Sequence, residues 1–163
     1  VSELHGFREL SQIDSSEYDN ILNLGGMTAL DDAVFQGIEI TRDYAKVLVN
    51  QDFCANAIVF VITDGCNNNS KHTPNQIKKL ISDVMKEECL ESIQVILVGI
   101  TGGDNGIRST LQIFQQEVGI TLYINIDDAT PSELAKLADW ISKSISSTSQ
   151  ALGSGSPSQL LTF

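Results

Sequence analysis

The sequence predicts an α/β domain in which a mostly parallel sheet carries helices on both faces. Three observations lead there. Apolar runs of strand length occupy residues 57–63, 93–100 and 120–126, and each is followed by a stretch whose apolar residues keep helical spacing. The runs are nearly continuous in apolar character and bounded by turns, as in strands covered on both faces. Helix-start signals, Thr73-Pro74-Asn75-Gln76 and Thr130-Pro131-Ser132-Glu133, stand after the first and third runs.

Taken in order, residues 8–13 read as a short strand, with Asp14-Ser15-Ser16 as turn chemistry behind it. A helix begins after Gly25-Gly26, with Leu30, Val34, Ile38, Ala45 and Leu48 on one face, and its periodicity extends to about Asn50. The run 57–63 reads as a fully buried strand. The helix that starts at Pro74 carries Ile77, Leu80, Ile81 and Val84 as its apolar stripe. Strand 93–100 ends in Thr101-Gly102-Gly103-Asp104-Asn105-Gly106, after which Ile107, Leu111, Phe114 and Val118 keep helical spacing and Gly119 stands where a left-handed C-cap belongs. Strand 120–126 is followed by a helix with Leu134, Leu137, Ala138, Ile141 and Ile145. Phe60, Phe114 and Trp140 fall within the apolar periodicity and read as core. From Ser146 the composition turns to serine and glycine. This divides the chain into a domain, 1–147, and a disordered tail, 148–163, whose Leu160, Leu161 and Phe163 are the residues able to dock.

At 42% hydrophobic residues, 163 positions suffice for one domain with a sizeable core. The net charge of -11 and a pI near 4.4 oppose a nucleic-acid backbone or an anionic membrane as partner, while permitting a cation site. Cys54, Cys66 and Cys89 show no paired spacing, which favours a reducing, cytoplasmic setting over a disulfide framework. No stretch reads as a membrane span or a secretory leader. The opening at Val1 reads as a processed or truncated start.

The chemistry candidates gather at strand ends. Asp64-Gly65-Cys66-Asn67-Asn68-Asn69 places a carboxylate, a glycine and amides at the mouth of strand 57–63, where open parallel sheets hold ligands; its rival is a strand-to-helix turn. Thr28 precedes a helix with Asp31 three residues on, so it reads as an N-cap. With Gly25-Gly26 beside it and Asp64 on the same edge, it also reads as a hard-oxygen ligand suited to magnesium or manganese. His72 lies in the loop after Asp64, either solvated or facing that edge. The glycines around 99–106 lack dinucleotide spacing, no phosphate-loop lysine follows, and neither His5 nor His72 has an evident serine or cysteine partner.

Gly25-Gly26-Met27-Thr28-Ala29-Leu30 followed by Val59-Phe60-Val61-Ile62-Thr63-Asp64-Gly65 resembles the second and third elements of the metal-ion-dependent adhesion site of von Willebrand factor A domains. The similarity covers residues 8–147 and resembles the bacterial intracellular members more than the secreted adhesion proteins. It implies a doubly wound, Rossmann-like fold and a protein-binding function. Thr28 and Asp64 would face the metal, directly or through water, and Gly26, Gly65, Asn67, Asn68 and Asp104 would form the rim. The family's Asp-x-Ser-x-Ser element has no counterpart upstream of Thr28, so magnesium or manganese binding is expected to be weak or absent. In the family's strand order 3-2-1-4-5-6, run 57–63 is the fourth strand, whose first-strand neighbour is missing. The resulting open edge is expected to favour self-association. The partner would be a protein presenting an acidic side chain. A metal-free scaffold is the alternative, and a metal-assisted phosphoryl hydrolase using Asp64 and Asp104 is the enzymatic one. No catalytic constellation is apparent, so an enzyme is not expected.

Overall fold

The computed structural model describes residues 4–19, 27–156 and 161–163. Two 3-10 turns, Leu10–Gln12 and Ser15–Tyr18, precede α1 (Leu30–Val49), β1 (Asn56–Thr63), α2 (Pro74–Val84), β2 (Ser92–Ile100), α3 (Asn105–Val118), β3 (Leu122–Ile126) and α4 (Pro131–Ser154). The three strands are parallel and lie in the order β1-β2-β3, with Val59 beside Val95 and Val98 beside Ile124. Strand order does not reverse among these strands, which leaves β1 and β3 as the two edges.

Alternation of side chains along each strand builds two cores. Val59, Val61, Val95 and Leu97 point to one face, where Val34 and Ile38 of α1, Ile77 and Leu80 of α2, and Leu111 and Phe114 of α3 cover them. Ile96, Val98, Ile124 and Ile126 point to the other, under Leu137 and Trp140 of α4, with Ile58 and Phe60 packed alongside. The sheet is therefore covered on both sides, three helices on one and one on the other. Gly37 brings α1 close to β1, since a Cβ there would stand 3.2 Å from Val59 Cγ1.

Local signals work as read for the later helices. At the start of α2, Gln76 Oε1 accepts from the Thr73 N–H at 2.8 Å. Thr130 Oγ1 accepts from the Glu133 N–H at 3.2 Å at the start of α4. Gly119, at φ 79°, ends α3 in the left-handed conformation expected of it.

Four expectations require correction. Residues 8–13 form no strand: the Gln12 and Ile13 N–H groups bond back to Glu9 and Leu10, and no residue of the turn is buried, so no apolar face draws the segment into the sheet. Strand β1 is not fully buried. Ala57, Val59, Val61 and Thr63 are covered, Ile58 and Phe60 only partly, and Ile62 is 55% exposed, because β1 is an edge strand. The boundary at 147 falls inside α4, which runs on to Ser154 and stops at Gly155 (φ 67°). The serine-rich stretch stays helical because its small side chains Ser144 and Thr148 are buried, while Ser146 Oγ donates to the Ser142 carbonyl at 2.9 Å. Finally, the last residues are docked: Leu161 packs in the second core, Trp140 Nε1 donates to its carbonyl at 3.2 Å, and the Phe163 ring meets the Trp140 ring edge-on. Leu160 lies outside the described residues.

Candidate functional site

The loop after β1 takes hydrogen-bond partners from Thr28, just before α1. The Thr28 N–H donates to Asn68 Oδ1 at 2.7 Å, and the Thr28 carbonyl accepts from the Asn68 and Asn69 N–H groups at 3.0 and 3.2 Å. Thr63 Oγ1 donates to the Gly65 carbonyl at 2.8 Å and turns the chain as it leaves the strand. A Cβ at Gly65 would stand 3.5 Å from Thr28 Oγ1, so the threonine hydroxyl and the Asp64-Gly65 turn are neighbours. Asp64 itself is exposed and accepts no hydrogen bond among the described residues. Asn67 Oδ1 accepts from Ser70 Oγ at 2.5 Å.

Thr28, Gly65, Asn67 and Asn68 are thus brought into one loop cluster, with Asp64 at its opening. Gly26 lies outside the described residues. Asp104 is on the separate loop after β2, where it is the N-cap of α3: its Oδ1 accepts from the Gly106 and Ile107 N–H groups at 2.7 and 3.1 Å. Thr28 is not an N-cap. Helix α1 starts at Leu30 with Ala29 in the cap position and no side-chain capping bond, because the backbone of Thr28 is committed to Asn68.

The residue that sequence reasoning missed is Asp32. Buried in the first turn of α1, it takes three bonds on Oδ1: from the Lys71 N–H at 3.0 Å, the His72 N–H at 2.9 Å, and His72 Nδ1 at 2.7 Å. Its own N–H donates to Ser70 Oγ at 3.2 Å. His72 is therefore not a freely solvated loop histidine: its side chain is half-buried against Asp32. Its ring stacks on Phe35 with centroids 3.9 Å apart. The hydrogen bond from the His72 backbone is the main cause holding the Asp32 carboxyl below its ordinary range. Asp31 beside it moves the opposite way. Burial pushes its carboxyl up, the Asp32 and Glu117 charges add to that, and its Oδ1 is buried without a partner. The available signal was two adjacent acids at a helix start, Asp31 and Asp32, both of which are buried.

A second polar cluster closes the ends of β2 and β3. Thr101 Oγ1 and Tyr123 OH both donate to Asn125 Oδ1 at 3.1 Å, and Asn125 Nδ2 donates to Asp127 Oδ1 at 2.7 Å. Arg108 pairs with the same carboxylate, and these two donors, Asn125 first, hold Asp127 low. The cluster is internally satisfied.

For a divalent ion the rim offers one hydroxyl, Thr28, and one carboxylate, Asp64, while the oxygens of Asn67 and Asn68 are already accepting. No three His, Cys, Asp or Glu side chains gather as ligands among the described residues. That set does not fit magnesium, which gives up its hydration shell only for several well-placed oxygens. All three cysteines are free, with Cys89 buried and Cys54 exposed. No helix among the described residues is long and apolar enough to cross a membrane. The chain is without a match among family models, curated proteins and solved structures.

Proposed function

We propose that the chain is a von Willebrand factor A-like module, doubly wound, that binds a protein partner at the rim formed by Thr28, Asp64, Gly65, Asn67 and Asn68 and transforms no substrate. One observation carries this reading: the β1–α2 loop is tied at two points, Asn68 to Thr28 just before α1 and residues 71–72 to Asp32 within it, which leaves Asp64 exposed on a fixed support. A fixed rim of hydroxyl, carboxylate and amides is equipped for recognition. The parallel order β1-β2-β3 is also that of the fourth to sixth strands in the family's sheet.

The resemblance implies that the partner presents an acidic side chain when magnesium or manganese is held at the site. Thr28 and Asp64 alone hold such an ion weakly at best. A metal-free scaffold is the second reading, supported by the same shortage of ligands. The hydrolase loses support from Asp104, whose carboxylate is occupied as a helix cap. Free cysteines favour a cytoplasmic setting.

Titration of the isotope-labelled chain with manganese tests the reading. Broadening confined to Thr28 and residues 64–69, reached only at roughly millimolar metal and lost in Asp64→Ala, supports the partial site. No broadening there selects the metal-free scaffold. Turnover of phosphoesters, abolished by Asp64→Ala, would overturn the binding module in favour of an enzyme.

A further inference from the structure

We propose that residues 5–18 are a strap laid over the outer edge of β1, that its seating through Phe7 and Ile13 keeps this edge from pairing with another strand, and that its release frees the edge. The device is separate from the rim at the strand ends and needs no metal.

The first argument is what lies on the edge. Asn56–Thr63 is bonded to β2 along one side only. On the other side, Arg8 and Ile13 share with Ile58, Val59 and Phe60 the lining of a gap of about 410 Å³. The Phe7 ring stacks on Tyr44 of α1 with centroids 4.3 Å apart, and it also lines the larger groove between α1 and α4. Among residues 4–19 only Arg8 and Ile13 are half-buried, and Phe7 stays 51% exposed. A few side chains make the whole contact.

The second argument is that the segment keeps its hydrogen bonds to itself. The N–H groups of Gln12, Ile13, Glu17 and Asp19 donate to carbonyls three residues back at 3.0 to 3.2 Å, and Asp14 Oδ1 accepts from the Ser16 N–H at 2.9 Å. Two clasps join its limbs: His5 with Tyr18, and Arg8 with Glu17, the guanidinium donating at 2.7 and 3.3 Å. No backbone hydrogen bond joins the segment to β1 among the described residues. A compact loop closed by its own side chains moves as a unit, so this one can leave the edge without breaking a backbone bond to it.

The third argument is the polar groups left unmet where strap and strand face each other. Arg8 Nε is buried without a partner, while the outward N–H and C=O groups of β1 are unpaired among the described residues. An orphaned donor beside orphaned acceptors means that the strap shields the edge without satisfying it. A strand that pairs with those groups therefore displaces it. Covering an edge with a loop is one way in which proteins avoid the association that a bare apolar strand favours.

The test uses the full chain. Trypsin cuts after Arg8 when the strap stands away from the edge with its clasp open. Tyr44→Ser removes the stack at an exposed position and leaves the cut sequence unchanged, so it should raise that cleavage rate about tenfold with little change in melting midpoint. Tyr44→Phe keeps the stack and should be cut like the intact chain. In sedimentation the intact chain should be monomeric, whereas Phe7→Ser with Ile13→Ser should self-associate at least about tenfold more tightly. Alternate β1 amides should gain protection as the concentration of this variant rises. Phe7→Ser alone, at an exposed ring that does not burden the fold, should shift both readouts in the same direction. Cleavage that Tyr44→Ser leaves unchanged overturns the seating of the strap. Released variants that stay monomeric, or that associate without protecting β1, overturn its role as a shield. So does an intact chain that associates through β1 as tightly as they do.

Discussion

Strands β1 and β2 are nearly interchangeable as sequence and differ in burial. Both are apolar runs of eight or nine residues ending in a polar turn. In β2 every residue from Gln94 to Gly99 is buried; in β1 burial alternates and Ile62 stands 55% exposed. The difference is position in the sheet. β2 has a strand on each side and helices on both faces, whereas α4 covers β1 only in part and nothing pairs its outer edge among the described residues. Apolar composition reports that a run can be buried, and neighbours decide whether it is.

The loops that follow the two strands repeat the contrast. After β2, the turn is held locally: Gly102 and Gly103 take positive φ and Asp104 caps the helix two and three residues on. After β1, the turn is held from a distance by Thr28 and Asp32, some forty positions earlier. The first loop carries its own support; the second needs α1 in place before it has a shape.

The largest expected effect tests the burial contrast. Leu97→Ala in β2 should cost about 3–4 kcal/mol of stability in denaturant unfolding, while Ile62→Ala in β1 should stay within about 0.5 kcal/mol. Comparable losses would mean that β1 is covered in solution. Gly99→Ala should cost about 1–3 kcal/mol, because a Cβ there would stand 2.7 Å from Leu111 Cδ1 and 3.1 Å from the Tyr123 ring.

The loop contrast is sharpened by Asp32→Ala, which should raise amide exchange in residues 64–73 by about tenfold while residues 101–106 stay unchanged. Because the folded Asp32 carboxyl is held below its usual value, its contribution is present above that value and is lost as pH falls through the folded one. Asp31 has the reverse sign. Its carboxyl is raised, so stability is lost as pH climbs from about the usual 3.8 through the folded value, and Asp31→Asn should raise the melting midpoint at neutral pH but not at pH 3. The smallest effect belongs to Thr28→Ala, within about 0.5 kcal/mol, since the hydroxyl caps nothing and the backbone bonds to Asn68 survive. A loss nearer 1 kcal/mol would restore the N-cap.

Much of the fold was legible because its causes are local. The apolar stripe of Ile77, Leu80 and Val84, the cap residues Thr73 and Thr130, and Gly119 at the end of α3 act within a few residues, and each works where sequence placed it. The end of α4 was misread for the same reason: serine and glycine content describes a chain by itself, whereas Ser144 and Thr148 are buried once the chain has packed. At the candidate site, Asp64, Gly65, Asn67 and Asn68 were legible as a polar strand end. Asp32 and the Phe35–His72 stack were not, since their partners lie about forty residues apart.

The sequence by itself determined which segments are strands and helices from residue 30 to 147, that the strands are parallel, and that a carboxylate and amides stand at the mouth of β1. Side-chain periodicity, capping and turn chemistry act over a handful of residues and need no other part of the chain. The tertiary structure alone decided that β1 is an edge, that its loop hangs from Asp32 and Thr28, that Asp31 and Asp32 titrate in opposite directions, and that Leu161 and Phe163 close on Trp140. Each of these depends on burial and pairing between segments distant in sequence, which exist only once the layers have packed.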